Sequence, residues 1–386
     1  MTTATSALGR ELQLVHAAQW LYTVNDEPFV AGAGDAYARF VRGFDEDTAP
    51  VLASIAERGP LWRSRLDTWV GADRETAGLL LGHPDTAVAA AVPQAVPWLP
   101  GVARQRTRGP VHDLAYRGGA GAVRARAGRL REEAERAVAR LAPGQGELVA
   151  DFVAPLAAAV YAGLLDVPEE RRTEFATDLA AVAPAVDALL CPQTLAVTRR
   201  LEAGLLRLRE LFGGRPHAEA DLILAVAGAR AAADLLGNAL AALLHRPEEW
   251  ERLRTEPGYA ERVVAEVLRT EPPWRAYPLV ALAPIEAAGE RIDAGEAVTV
   301  VTAVTAMTAA DRDPAGRAET ESAGAAAPYA RLLLEAARAQ TEQALTALAA
   351  RFPRVRPADG PVRERRAPVT RRLARLSARL GEEETR

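Results

Sequence analysis

The chain has 386 residues, a length that suits two or three average domains or one large domain. Hydrophobic residues make up 49% and charged residues 25%, which is ordinary for a globular protein and excludes a disordered or fibrous chain. The net charge of −4 and the isoelectric point near 5.9 argue against bulk binding of nucleic acid or of an anionic membrane.

The single cysteine, Cys191, excludes an internal disulfide framework and any zinc or iron–sulfur site built from several cysteines. The first residues show no basic region followed by an apolar run, so no signal peptide is predicted. The most apolar stretch, residues 148–167, is interrupted by Asp151 and Pro155. A membrane span needs about 20 apolar residues, so the stretch predicts a buried helix. We expect a cytoplasmic protein.

Helical patterns dominate the first two thirds of the chain. A pair of short strands is predicted within Arg63–Val70, and a short helix follows at Asp73–Leu81. Leu130–Leu141 places apolar residues at helical spacing between Arg and Glu, which predicts an amphipathic surface helix. Asp221–Leu244 is apolar nearly all round, which predicts a helix in the middle of a large helical core.

The last third combines helices with a β signature. Ala260–Thr270 predicts a helix that ends before Pro272, and Tyr329–Phe352 predicts a long final helix. Between these two helices, apolar stretches and glycine turns predict strands at Leu279–Ile285 and Ala297–Val304.

The basic tail Arg363–Arg379 contains seven arginines, with three leucines at helical spacing. We predict a solvated terminal helix packed on the domain. The alternative is an arm that binds nucleic acid or a membrane.

These elements occur in a familiar order. The run LLHRPEEWERLRTEPGYAERVVAEVLRTEPPWRAYPL closely resembles the region around the Glu-x-x-Arg helix of bacterial cytochromes P-450, with Glu266 and Arg269 at the motif positions. Downstream, Asp311–Pro314 resembles the family's Asn-Arg-Asp-Pro segment, and the final helix resembles the one that follows the haem loop. The resemblance runs from about Arg63 to Arg372. It implies a mainly α cytochrome P-450 fold with a small β region.

The resemblance gives Glu266 and Arg269 a structural role. On its own, an i,i+3 pair of this kind would be a surface ion pair worth about 0.2–0.5 kcal/mol. Within the matching region it belongs to a structural network and carries no chemistry of its own.

The haem loop of that family supplies a cysteine thiolate to the iron, within Phe-Gly-x-Gly-x-His-x-Cys-x-Gly. Counted back from Tyr329, the cysteine position holds Gly324 and the histidine position holds Ser322. Pro314 lies ten residues before Gly324, so the loop is also shorter than in the family. Cys191 lies far upstream and is predicted to be a small buried or loop residue.

The central helix of the family carries Ala-Gly-x-(Glu/Asp)-Thr, whose acid and alcohol deliver protons to iron-bound oxygen. Here Ala227-Gly228-Ala229 is followed by Arg230 and Ala231, which cannot perform that relay. Arg230 and Asp234 are spaced i,i+4, and we predict an ion pair that fills part of the vacated cavity. A ligand or partner role is the alternative.

Other signs of cofactor chemistry are missing as well. Where the family grips the haem propionates with His-x-x-x-Arg, His112 is present but position 116 is tyrosine. The five histidines have no metal-ligand spacing, and Gly119-Ala-Gly121 lacks the context of a dinucleotide loop. Together these losses predict a haem-free relative with no cofactor and no metal.

Haem-free members of this fold include the auxiliary proteins that bind and activate deoxysugar glycosyltransferases in macrolide and anthracycline biosynthesis. The segments LGRELQLVHAAQWLYTVNDEP, RSRLDTWV, CPQTLAVT and PVRERRAPVTR resemble the macrolide activators. The resemblance implies a non-catalytic partner of a nucleotide-deoxysugar glycosyltransferase, in a heterotetramer of two activators and two transferases.

The alternative is a haem-free enzyme or a binder of lipophilic small molecules that uses the emptied pocket. Convergent titratable groups in that pocket would favour this alternative. A collapsed pocket and an apolar patch on the outside would favour the activator.

The partner contact is predicted in the N-terminal segment, residues 1–29, and residues 30–386 are predicted to form a single P-450-like domain. Trp20, Tyr22 and Phe29 are aromatic residues in a chain that has few, and such residues are enriched at interface anchors. We expect them to contact the glycosyltransferase; the alternative is that the helix packs on its own domain. One predicted helical stripe holds Leu8, Leu12, Val15 and Tyr22, with Leu14, Ala18 and Leu21 beside it.

Overall fold

The computed structural model describes residues 2–23, 34–89, 117–306 and 328–381, and helices make up most of them. The helices are α1 (Thr2–Leu21), α2 (Ala36–Arg42), α3 (Ala49–Ala56), α4 (Arg74–Gly82), α5 (Ala120–Ala125), α6 (Ala127–Ala139), α7 (Ala154–Leu164), α8 (Arg172–Val182), α9 (Leu195–Phe212), α10 (Ala218–Ile223), α11 (Ala229–Leu243), α12 (Pro247–Thr255), α13 (Tyr259–Thr270) and α14 (Pro328–Arg351). Every helix that was predicted before residue 363 is present, and its observed ends differ from the predicted ends by a few residues.

The strands of the described residues are short and form four small sheets. They are β1 (Leu61–Arg63), β2 (Thr68–Gly71), β3 (Thr86–Val88), β4 (Gly144–Glu147), β5 (Tyr277–Ala281), β6 (Ile285–Ala287), β7 (Glu290–Ile292), β8 (Ala297–Val300), β9 (Arg354–Pro357), β10 (Val362–Arg363), β11 (Leu373–Arg375) and β12 (Ser377–Gly381). One sheet has the order β1-β2-β8-β5-β3, another has the order β4-β12-β9, and β6 pairs with β7 and β10 with β11. The predicted strand pair within Arg63–Val70 and the two strands after α13 are confirmed.

A helix buried on nearly all sides runs through the middle of the fold. We call it the central helix; it consists of α10, a π-helical turn at Leu224–Gly228 and α11. Its Ala- and Leu-rich faces pack against α7, α13 and α14, as the absence of a polar face predicts. At Gly228 a Cβ atom would lie 2.8 Å from Cε1 of Tyr161 on α7, so only glycine allows this close approach.

The basic tail is not a helix, so the prediction of a terminal helix is wrong. β12 pairs antiparallel with both β4 and β9, so the leucine at position 380 and Ala378 face the core from a strand. A helix is also excluded in the part of the tail before β12. Arg366 and Arg371 have positive φ angles there, and Pro368 lies between them. Leucines three or four residues apart fit a helix. Here, however, backbone hydrogen bonds with β4 and β9 stabilise the segment as a strand.

The buried apolar residues form one large cluster and one small one. The large cluster extends from Ala36 to Leu380 and includes the central helix and the five-stranded sheet. The small cluster is centred on Leu12 of α1, with Leu8, Val15 and Leu195 packed around it. Helix α1 is therefore attached to the rest of the protein through a contact of its own. The division into residues 1–29 and 30–386 stays a prediction.

Candidate functional sites

The central helix carries Arg230 where the P-450 motif has its acid, and Arg230 forms an ion pair with Asp234, four residues further along. Nε and Nη2 of Arg230 donate to the two carboxylate oxygens of Asp234 at 2.8 and 2.5 Å. Asp234 is buried, and burial raises its pKa to about 6 even though the Arg230 charge lowers it. Ala231, also buried, offers only a methyl group. The predicted ion pair therefore forms, and these groups cannot serve as a proton relay.

A second buried carboxylate, Asp187, holds the carboxy-terminal part of the chain. Its Oδ1 accepts hydrogen bonds from the backbone N–H groups of Val369 and Thr370 at 3.0 and 2.9 Å. Its Oδ2 accepts from the Thr370 hydroxyl and from Nη1 of Arg372, both at 2.7 Å. Asp187 and Arg372 also influence the pKa of Asp234, so the two ion pairs share one electrostatic environment. Each buried carboxylate has its own guanidinium partner, and the four charges cancel.

Arg275 adds a further buried charge to this region. Its Nη2 donates to Oγ1 of Thr48 at 2.9 Å. Burial lowers its pKa to about 10; the Glu271 carboxylate opposes this shift and nearby arginines, including Arg371, add to it. The guanidinium remains protonated at neutral pH. Across the described ranges, no group of three or more His, Cys, Asp and Glu side chains is placed to hold a metal ion.

Glu266 and Arg269 form the predicted i,i+3 pair near the end of α13. Nε and Nη2 of Arg269 donate to the Glu266 carboxylate at 2.9 and 2.7 Å. The Arg269 side chain is 13% exposed, whereas that of Glu266 is 42% exposed. The two side chains are therefore not both buried. Glu266 lies beside the face of α13 that contains the buried residues Val263 and Val267. Nη1 of Arg269 is buried with no hydrogen-bond partner in the described part of the chain.

Cys191 is a buried loop residue, as predicted. Its Sγ lies 3.7 Å from the carbonyl oxygen of Arg42. Burial raises the pKa of the thiol to about 12, so it stays protonated at neutral pH. A neutral thiol is neither a metal ligand nor a nucleophile.

Helix α1 packs on its own protein through the stripe that was considered for partner contact. Leu12 is buried, and the partly buried Tyr22 lies under the guanidinium of Arg65, 5.0 Å from its ring centroid. Nε2 of Gln19 donates to the carbonyl oxygen of Leu190 at 2.9 Å, and Nε2 of His16 donates to the Pro192 carbonyl. This stripe is the attachment face of α1. The alternative that the helix packs on its own domain is correct for these residues.

The other side of α1 is exposed and carries three large apolar side chains. Leu14 is 71% exposed, and Trp20 and Leu21 are each 59% exposed. We call these three residues the outer face of α1. Of the three aromatic residues expected at the partner contact, Trp20 lies on the outer face, Tyr22 faces the protein, and Phe29 lies outside the described residues.

Comparison with known proteins connects these features to a family. The chain is 34% identical over 398 residues to DesVIII of Streptomyces venezuelae, an alignment that covers 94% of this chain and 91% of DesVIII. It is 36% identical over 409 residues to TylM3 of Streptomyces fradiae, which covers 96% of this chain and 92% of TylM3. The chain belongs to their family. This is the family of P-450-like auxiliary proteins of glycosyltransferases that the motifs indicated. No protein-family model matches the chain.

The fold of this auxiliary protein is that of a cytochrome P-450. The open form of cytochrome P-450 EryK from S. erythraea superposes with a TM-score of 0.75 and 20% identity, covering 90% of this chain and all of EryK. The predicted fold class is thereby confirmed. Within the described residues, no helix is both long enough and apolar enough to cross a membrane.

Only some of the positions that carry haem chemistry in cytochromes P-450 lie among the described residues of this protein. Ala231 and Arg230 are placed on the central helix, whereas Gly324, Ser322 and His112 lie outside the described residues. Asp187 was not among the predicted site residues, because its hydrogen-bond partners are about 180 residues away in the chain. No local pattern around position 187 signals them.

An open cleft of about 260 Å³ lies between α6, α7 and α14, separate from the Arg230–Asp234 pair. Its floor includes Leu130 and Leu164, and arginines stand at its rim. Three of these arginines are neutralised by neighbouring acids: Arg136 by Glu132 and Glu133, Arg126 by Asp166, and Arg172 by Glu169. The cleft therefore has a largely neutral rim.

Proposed function

We propose that this protein is a non-catalytic partner that activates a nucleotide-deoxysugar glycosyltransferase in the biosynthesis of a macrolide or anthracycline antibiotic, in the cytoplasm. The observation that carries the proposal is the identity of the side chains at the oxygen-activation positions of the central helix. Arg230, which is paired with Asp234, stands where oxygen activation needs an acid, and the Ala231 methyl group stands where it needs an alcohol. A chain that keeps the fold without these groups acts by binding, and its family membership supports a glycosyltransferase as the partner.

A protein without a cofactor can activate the transferase because binding is thermodynamically coupled to the conformational equilibrium of the transferase. A partner that binds only the competent form of the transferase shifts its conformational equilibrium towards that form. The same binding stabilises the folded transferase by about 2.7 kcal/mol when the free partner is present at 100 times its dissociation constant. Neither effect requires a reacting group on this chain.

We assign the outer face of α1 to the transferase contact. Leu14, Trp20 and Leu21 are large apolar side chains that solvent surrounds in the isolated protein. Tryptophan is enriched among the residues that dominate binding energy, whereas scattered exposed leucines alone mean little. Tyr22 supports this face indirectly by anchoring α1 through Arg65. Phe29 remains a proposed contact. We propose a heterotetramer of two activators and two transferases.

The alternative of a haem-free enzyme or a binder of lipophilic molecules has weaker support. Titratable groups do converge near the central helix, but Asp234 is paired with Arg230 and Asp187 with Arg372. Paired groups of this kind stabilise structure and do not offer a free acid or base. The apolar outer face of α1 is the feature that was expected for an activator.

The decisive experiment is co-expression with the neighbouring glycosyltransferase, followed by turnover measurements with and without this protein. We expect turnover to depend on the protein and the two chains to co-purify in a 2:2 complex by light scattering. Unchanged transferase turnover and no co-purification would contradict the proposal.

The contact surface is tested with Trp20→Ser/Leu21→Ser. We expect binding to weaken at least about 30-fold, which corresponds to a hot-spot loss of about 2 kcal/mol. The matched control is Leu206→Ser, which removes a leucine that is 58% exposed on α9 and should leave binding unchanged. Equal effects of the two variants would exclude the outer face of α1 as the contact.

A further inference from the structure

The three-stranded sheet β4-β12-β9 presents an arginine face to solvent. Arg354 and Arg356 on β9 and Arg379 on β12 are exposed, while Val355 and Leu380, which alternate with them, are buried. The register places Arg356 directly opposite Arg379, and Arg354 follows two residues along the same strand. Residues two apart on a strand and directly opposite on its neighbour lie on the same side of the sheet. We call Arg354, Arg356 and Arg379 the arginine face.

None of these three guanidinium groups has an ion pair or a hydrogen bond with another described residue. Some exposed arginines elsewhere have acidic neighbours, for example Arg131 with Glu135 and Arg252 with Glu256. Like charges directly opposite each other on a sheet are destabilising, so the Arg356–Arg379 pair has a cost for the isolated protein. Among the described residues this positive face has no ion-pair partner, and in a chain of net charge −4 it is a feature that a negatively charged partner would complete.

The choice of partner follows from the charge distribution. A second copy of this chain does not fit, because a two-fold interface would set the arginine face against itself. Nucleic acid and anionic membranes do not fit well, because the protein as a whole is negatively charged and three arginines are few for such binding. An acidic patch on a protein partner matches both the size and the sign of the face.

We propose that the arginine face docks against an acidic surface of the glycosyltransferase. This inference rests on the proposed function and adds a second contact to it, which steers the encounter electrostatically, while the outer face of α1 supplies apolar contact. Charge complementarity of this kind acts mainly on the association rate and on its salt dependence.

The test compares two triple variants with the same net charge. In the first, Arg354→Gln, Arg356→Gln and Arg379→Gln neutralise the arginine face. In the control, Arg131→Gln, Arg252→Gln and Arg291→Gln remove three exposed arginines that are ion-paired on other surfaces. Association with the transferase is followed by stopped-flow fluorescence at low and high salt.

We expect the first variant to associate about tenfold more slowly at low salt and to lose most of the salt dependence of the wild-type rate. The control should stay within about twofold of the wild type, and the dissociation rate should change little in either variant. Thermal unfolding should show the first variant to be at least as stable as the wild type, since like-charge repulsion is removed.

Equal association rates for the first variant and the control would overturn the inference while leaving the proposed function intact. Binding of the wild type to a DNA duplex or to phosphatidylserine vesicles that the first variant loses, with unchanged transferase association, would also overturn it. If the wild type neither binds nor activates the transferase, the proposed function itself fails.

Discussion

Removing one partner of the buried Arg230–Asp234 pair should reveal how much the pair contributes to the stability of the central helix. In Arg230→Met the side chain keeps similar bulk but loses its charge, which leaves the Asp234 carboxylate buried without the guanidinium that now contacts both of its oxygens. Breaking a buried pair in this way typically costs about 3–5 kcal/mol. Replacing both partners, as in Arg230→Met/Asp234→Leu, should restore stability to about the wild-type level or above it.

The pH dependence follows from the pKa of Asp234. The folded value of about 6 lies above the ordinary value of 3.8 because burial disfavours the charged carboxylate. The folded protein therefore binds more protons than the unfolded chain between these values, and this group's contribution to stability decreases as the pH rises from about 4 to about 6. A difference of about two pKa units corresponds to about 3 kcal/mol. Arg230→Met removes the main opposing charge, so its deficit should be largest above pH 6 and smaller in mild acid.

The assay is urea unfolding followed by circular dichroism at about pH 8 and about pH 5.5, read as the shift of the midpoint at constant m-value. Arg131→Met is the matched control, because Arg131 forms the same i,i+4 pair with Glu135 but on the surface of α6. Its expected cost is below about 0.5 kcal/mol. A deficit of Arg230→Met that equals that of the control, or that does not change with pH, would refute the reasoning. So would a double variant as unstable as the single one.

Three further predictions concern haem, stability and binding. The purified protein should be colourless, and Gly324→Cys should not restore haem binding, because one thiol does not rebuild a shortened loop; a reduced carbon-monoxide spectrum with a P-450 Soret band from either protein would contradict this. Glu266→Ala should cost about 1 kcal/mol, because Glu266 is 42% exposed, and should leave activation of the transferase intact; a folded variant that binds but does not activate would assign Glu266 a functional role. A variant lacking residues 1–29 should keep its helical circular dichroism spectrum but lose co-purification with the transferase; full activation by this variant would place the contact elsewhere.

Periodicity in the sequence predicted the central helix, α6 and α13 because the signal is local. The apolar run of the central helix and the alternating faces of α6 and α13 depend on residues within a few turns of each other. Residue identity predicted the loss of proton relay chemistry in the same local way: Arg230 and Ala231 lack the required groups wherever they lie. Motif order together with these losses was sufficient to indicate the family.

The tertiary structure decided what depends on residues far apart in the chain. The tail became a strand because β4 and β9 provide backbone partners, although its leucine spacing also fits a helix. The same pairing created the arginine face, since only the register of β9 and β12 brings Arg356 opposite Arg379. Which side of α1 is free was decided by the contact with Leu195, and the exposure of Glu266 by the packing of α13. A sequence pattern shows that a helix has two faces, but only long-range packing determines which face is buried.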